Sequence, residues 1–185
     1  MNLPNAITLA RIFLVPLLVV VLLTKFEGKQ ILGVRHELVG AVIFAIASLT
    51  DWLDGYLARR RKQVTTFGRL MDPLADKLLV TAAFVSIVQM GLAPAWMVAV
   101  ILGREFLVPV LRSIAASRGV VVAASQLGKI KMAAEVTTIL ALILGNEYLP
   151  PLLVVGIAAL WVSLITAVVS GVDYYRRFNH LLSQR

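Results

Sequence analysis

Asp51, Asp54, Asp72 and Asp76 are four of the ten acids in the chain, and all four lie in or beside apolar runs. An ionised carboxylate in a membrane-spanning helix costs roughly 2.5–3.5 kcal/mol by insertion measurements, so acids placed there face a site and not lipid. Asp51 and Asp54 are three apart, with Gly55 and Ala58 at i+4 and i+7 from Asp51, so a helix puts all four on one face as a shallow cleft. Asp72 and Asp76 are four apart and share a face in the same way. If the two pairs converge across neighbouring helices, their mutual repulsion calls for cations between them. The chain has no Cys and only two His, His36 and His180, so the ions that suit are hard and oxygen-liganded, magnesium or manganese. Two such ions balance four acids and bind a diphosphate by bridging its oxygens. Gly55 and Ala58 let a nucleotide come close, Gly68 allows a tight turn, and Arg59 offers donors to phosphate or base. A proton or sodium relay in a small transporter also puts acids in helices, and the acids alone leave both readings standing.

The elements that must hold these residues follow from composition. Of 185 residues 59% are hydrophobic and 15% charged, and mean hydropathy is +0.88, whereas a soluble domain carries about 25% charged residues. A water-soluble globular protein is excluded. Apolar stretches at 5–24, 38–57, 72–92, 94–117, 127–146 and 149–172 predict an all-α integral membrane protein of six transmembrane helices. Residues 1–185 form a single domain, since six spans at about 20 residues each leave no room for another. Residues 127–146 carry Glu135 in a short apolar run, so a re-entrant or tilted element is the alternative there. The first stretch is expected to be retained. Thr24 to Gly28 offers no small-residue cleavage site, and no Arg-rich transit segment precedes it, which points to a bacterial plasma membrane.

Basic residues near helix ends set the orientation. Arg59, Arg60, Arg61, Lys62 and Arg69 lie between helices two and three, Arg118, Lys129 and Lys131 between four and five, and Arg176, Arg177 and Arg185 at the C-terminal end. Lys25, Lys29 and Arg35 in the first loop oppose them, so both termini and the acids are expected on the cytoplasmic side. The net charge of +8 then suits an anionic lipid surface or substrate. No nucleic-acid partner is expected, because no basic soluble domain exists to dock on a duplex. Arg11, Lys77, Arg104 and Arg112 fall within apolar stretches and need a reason to be there.

From Asp51 to Asp76 the chain reads DWLDGYLARRRKQVTTFGRLMDPLAD, which fits D-x2-D-G-x2-A-R-x8-G-x3-D-x3-D at all eight fixed positions. A given window meets that pattern by chance roughly once in 10^10 at average residue usage. The stretch resembles the signature of the CDP-alcohol phosphotransferase family. The resemblance implies a six-helix membrane enzyme that moves a phosphatidyl or similar group from a CDP-linked donor to an alcohol and releases CMP. It implies that Asp51, Asp54, Asp72 and Asp76 hold two divalent metals, and that Asp76 also takes the proton of the acceptor hydroxyl. A positioned carboxylate suits that task, because an unactivated alcohol is a poor nucleophile at neutral pH. Gly55, Arg59 and Thr65 are the family positions expected to touch the CDP moiety, beside Ala58 and Gly68, with Asn5 to Thr8 closing over it. A homodimer is expected from the same resemblance.

Three more stretches, Asn2 to Arg11, Gly103-Arg104-Glu105 and Leu127-Gly128-Lys129-Ile130-Lys131, resemble the branch of that family that joins CDP-diacylglycerol to sn-glycerol 3-phosphate. A phosphorylated acceptor needs a cationic pocket, for which Arg104, Arg112, Arg118, Lys129 and Lys131 are the candidates, oriented by Glu105 or Glu135. Members making phosphatidylinositol phosphate, phosphatidylserine or cardiolipin remain alternatives. Aspartate-rich prenyltransferases also use metal-bound diphosphates but lack the Gly-x2-Ala-Arg segment. Plainer readings stand beside these: Arg118, Lys129 and Lys131 as positive-inside residues, Arg60, Arg61 and Lys62 as surface anchors, and Arg112 snorkelling to headgroups. Trp52, Trp96 and Trp161 read as interface or lipid-facing aromatics, Met71, Met90, Met97 and Met132 as packing residues, and His36 and His180 as exposed ends. Pro73 either starts the third helix or bends it there.

Overall fold

The computed structural model describes residues 3–24, 30–31, 33–61, 66–117 and 127–183, with side chains for 8–24, 33–50, 71, 73–117 and 130–176. These residues form six helices: α1 Leu3–Leu23, α2 His36–Arg61, α3 Thr66–Gln89, α4 Ala95–Ser117, α5 Leu127–Glu147 and α6 Pro151–Ser183. Each falls on one of the six apolar stretches. One small element was not expected: β1 (Gln30–Ile31) pairs antiparallel with β2 (Val34–Arg35). Gly33, at φ 78° in the connecting turn, supplies the left-handed backbone that a tight hairpin requires.

Two helices run further than hydropathy alone suggested. α3 begins at Thr66, so Pro73 lies inside it, neither at its first residue nor before it. Proline's fixed φ is helical; inside the helix it removes the hydrogen bond to the Arg69 carbonyl and its ring crowds that carbonyl. α2 likewise continues through Arg59 to Arg61, because arginine is a good helix former whatever its polarity. The α3–α4 turn closes with Gly91 at φ 77°. There the Leu92 amide reaches the Ile87 carbonyl and the Gly91 amide that of Val88, both at 2.9 Å, the pattern that pairs the last carbonyls of a helix.

The core runs along the bundle through Leu18 and Leu22 of α1, Phe44 of α2, Leu79, Phe84 and Ile87 of α3, Ile101 of α4, Ile139, Leu142 and Ile143 of α5, and Leu164 of α6. The tightest pair is α5 with α6. A Cβ on Gly145 would lie 2.6 Å from the Leu153 backbone nitrogen, and one on Gly156 would lie 2.7 Å from Leu142. Close backbone approach at small residues is how apolar helices gain dispersion energy where the hydrophobic effect is weak.

The outward faces are apolar. Phe13, Ile46, Val154 and Ile165 are more than half exposed, and Trp96 and Trp161, also exposed, meet edge to face with ring centroids 6.4 Å apart. Among the described residues one helix, Pro151–Arg176, is long and apolar enough to cross a membrane, with mean hydropathy 2.7. Thr8–Leu23 and His36–Thr50 form shorter apolar segments. Lys77 in α3, Arg104, Glu105 and Arg112 in α4, and Lys131 and Glu135 in α5 dilute the other helices. His36, expected to be exposed, is 8% exposed, because the β-hairpin packs against the start of α2.

Candidate active site

The signature is divided between two helices in contact. Asp51, Asp54, Gly55, Ala58 and Arg59 lie on α2, and Gly68, Asp72 and Asp76 on α3. Helical backbone at 51–54 and 72–76 realises the same-face spacing within each pair. The side chains of Asp51, Asp54, Ala58, Arg59 and Asp72 fall outside the described ones, as do those of Asn5 and Lys129. Thr65, Arg118 and Lys62 lie outside the described residues altogether. Thr8 and Arg11, one turn apart on α1, are 1% and 2% exposed. α1 packs on both α2 and α3, so these polar groups sit on the side of α1 turned into the bundle.

Asp76 is described, and it borders a cavity of about 210 Å³ between α2, α3, α4 and α5. Ser48 of α2, Lys77 and Thr81 of α3, Glu105 of α4, and Lys131, Met132 and Glu135 of α5 share the lining. The volume is below the roughly 300–1,000 Å³ of pockets for drug-sized ligands and suits a small polar molecule. Three acids and two lysines face it, so it is polar without a large excess of either sign.

Of the basic residues expected to hold a phosphorylated acceptor, Arg104, Arg112 and Lys131 have described side chains, each in different surroundings. Lys131, 6% exposed, forms ion pairs with Glu105 and, at 3.2 Å, with Glu135 one turn further on α5. Arg104 turns away from the cavity. Its Nη1 donates to Glu105 Oε1 at 2.6 Å and its Nε to Ser170 Oγ on α6 at 2.9 Å. Arg112, two turns on, donates to the Tyr174 hydroxyl at 3.0 Å and stands 6.0 Å from that ring's centroid. Lys131 is therefore on the cavity, Arg104 behind it, and Arg112 on the α4–α6 surface. A salt-linked chain, Arg104–Glu105–Lys131–Glu135, ties α4 to α5 along the cavity wall. Sequence reasoning named both glutamates as orienting groups but did not find Ser48 and Thr81, which carry no signal beyond being hydroxyls in apolar helices.

The donor set fits a hard divalent cation. Asp76 brings carboxylate oxygen to a polar cavity whose lining holds neither Cys nor His, and Asp51, Asp54 and Asp72 lie on the adjoining helices α2 and α3.

Residues 1–169 match the CDP-alcohol phosphatidyltransferase family, and the chain belongs to that family. It is thus a phosphatidyltransferase of a membrane-associated family that uses divalent metal ions. The ion-relay reading of the acids is set aside accordingly. Among curated relatives, the CDP-diacylglycerol–glycerol-3-phosphate 3-phosphatidyltransferase of Bacillus subtilis (strain 168) is 50% identical across 95% of this chain and 94% of its own length. Proteins of the same name are 34% identical in Rickettsia felis, across 95% of this chain and 94% of theirs, and 40% identical in Salmonella choleraesuis, across 72% of each.

Proposed function

We propose that the chain transfers the phosphatidyl group of CDP-diacylglycerol to sn-glycerol 3-phosphate, giving phosphatidylglycerophosphate and CMP. One observation carries this: Asp76, last residue of the signature, and Lys131, from the Gly-Lys-Ile-Lys stretch, line one cavity sized for a small polar acceptor. The names of relatives with up to 50% identity across nearly the whole chain support the same reading.

In this scheme a hydroxyl of glycerol 3-phosphate attacks the phosphorus that bears the diacylglycerol. The bond from that phosphorus to the oxygen bridging to CMP breaks, and the hydroxyl proton passes to Asp76. Asp51, Asp54, Asp72 and Asp76 would hold two magnesium or manganese ions. Bound there, such ions neutralise the diphosphate and the charge that grows on the departing CMP. Asn5, Thr8, Gly55, Ala58, Arg59, Thr65 and Gly68 contact CDP-diacylglycerol. Lys131 serves the acceptor phosphate, with Arg104 holding Glu105 in place, and Lys129, Arg118 and Arg112 complete the cationic side.

We further infer six membrane spans forming one domain over residues 1–185, arranged as a homodimer in a bacterial plasma membrane with termini and site in the cytoplasm. The exposed apolar faces and the eleven-to-three bias of loop basic residues support the span count and orientation.

The test uses purified protein in detergent with CDP-diacylglycerol and magnesium. CMP release is expected with sn-glycerol 3-phosphate and not with serine or inositol phosphate. CMP release dependent on either of those alcohols instead would reassign the acceptor.

A further inference from the structure

Lys77 is the charged residue of the cavity wall that the scheme above leaves without a task. It follows Asp76 on α3, inside an apolar stretch where an ammonium is costly unless it meets a partner. It lines the cavity and is partly exposed. The cations opposite are already engaged: Lys131, 6% exposed, is shared between Glu105 and Glu135, and Arg104 holds Glu105 from behind. Two bases and two acids balance there. Among the described residues no carboxylate pairs with Lys77, whose ammonium stands 5.7 Å from the centroid of the Phe106 ring on α4. An aromatic face attracts a cation less than an anionic oxygen does, and the four-carbon stem leaves the ammonium free to swing. One turn further along α3, Thr81 also lines the cavity and is partly exposed. Its hydroxyl makes no hydrogen bond among the described residues, whereas those of Ser86 and Thr138 each donate to the carbonyl four residues back at 2.8 Å.

An ammonium without a carboxylate and a hydroxyl without an acceptor, one turn apart on one helix face, suit a cluster of anionic oxygens. In sn-glycerol 3-phosphate only the phosphate has that chemistry, since the reacting hydroxyl goes to Asp76 and the remainder is neutral. We propose that the acceptor's phosphate lies between α3 and α5, held by the Lys77 ammonium and the Thr81 hydroxyl from one side and by Lys131 from the other. The proposal rests on the acceptor assigned above. Lys131 has its glutamates whether or not the acceptor is bound, so Lys77 supplies the positive charge that answers the phosphate. Lys77 is then a substrate-binding residue that reads the phosphate and is indifferent to the middle hydroxyl of the glycerol.

The experiment follows CMP release by Lys77→Met, which keeps an apolar stem without the charge, by Lys77→Arg, which keeps the charge, and by Thr81→Val. Lys77→Met should raise the KM for sn-glycerol 3-phosphate by about tenfold or more, the scale of one charge-assisted contact. The KM for 3-hydroxypropyl phosphate, which has the phosphate and the reacting hydroxyl but no middle hydroxyl, should rise by the same factor. Lys77→Arg should recover most of the loss, because it restores a cationic donor. Thr81→Val should give a smaller rise, about fivefold, that of a neutral donor. The KM for CDP-diacylglycerol should stay unchanged in all three, which a merely structural role would not predict. An unchanged acceptor KM in Lys77→Met or Thr81→Val overturns the proposal. So does an equal rise in the KM for CDP-diacylglycerol, which would put Lys77 on the donor's diphosphate. Loss of all turnover in both Lys77 variants assigns the residue to structure and overturns it too. Failure of the unaltered enzyme to release CMP with sn-glycerol 3-phosphate sinks the acceptor assignment itself, whereas normal kinetics in Lys77→Met sink only the role of Lys77.

Discussion

Both ends of α5 carry charged residues that pair with other elements, yet the two ends are built differently. At one end Lys131 and Glu135 join Glu105 and Arg104 around a cavity. At the other, Glu147 pairs with Arg35, whose guanidinium stands 5.9 Å from the Tyr148 ring centroid. Arg35 Nε is also 3.8 Å from Glu37, which in turn meets His36 Nδ1 at 3.3 Å. None of these residues lines the cavity. The residue types are alike, and what separates the ends is the adjoining space. Charges packed against each other at the Glu147 end fasten the β2–α2 junction to the end of α5, while charges at the Lys131 end border the cavity in which the proposed acceptor would sit.

Three substitutions test that contrast. The largest effect belongs to Asp76→Asn, which removes the proposed proton acceptor on the cavity. Its kcat for CMP release should fall about 10²–10⁴-fold, the usual worth of general-base catalysis, and a fall below tenfold would remove Asp76 from that role. Lys131→Ala should raise the KM for sn-glycerol 3-phosphate by about tenfold, one charge-assisted contact at 1.4 kcal/mol per decade. The KM for CDP-diacylglycerol should move much less, and equal changes in both would make Lys131 structural. The smallest effect is expected of Arg35→Ala, whose partly exposed ion pairs are worth about 1 kcal/mol or less. Thermal unfolding should shift slightly with both KM values intact, so a changed acceptor KM would erase the distinction between the two ends.

Much of this organisation is readable in the amino-acid sequence, and what escapes reading has physical causes. Hydropathy located all six helices because each buries or presents an apolar surface. It misplaced the start of α3 by six residues, since helical backbone does not require apolar side chains and Pro73 is tolerated inside the helix. The β-hairpin escaped because two-residue strands leave no alternation to detect, and with it went the burial of His36. The signature named Asp76, but no spacing rule says which helices are neighbours. That Lys131 reaches the cavity, while Arg104 turns to Ser170 and Arg112 to Tyr174, depends on how α4 lies against α5 and α6. Three basic residues that look equivalent in the chain thereby acquire three different surroundings.

The glycine contacts between α5 and α6 bear on how the protein is made. On the proposed multi-span reading, α5 enters the bilayer carrying Lys131 near its start and Glu135 closer to its middle, and insertion measurements put an acid such as aspartate at mid-helix at roughly 2.5–3.5 kcal/mol. Pro151–Arg176, at mean hydropathy 2.7, inserts readily, and the short turn at Tyr148–Pro150 leaves α5 no path separate from it. The two helices should therefore leave the translocation machinery as one hairpin, with α6 drawing its charged partner into lipid. A chain truncated after Tyr148 should leave α5 outside the membrane and open to protease. Protection of α5 in that truncated chain would mean that it inserts unaided.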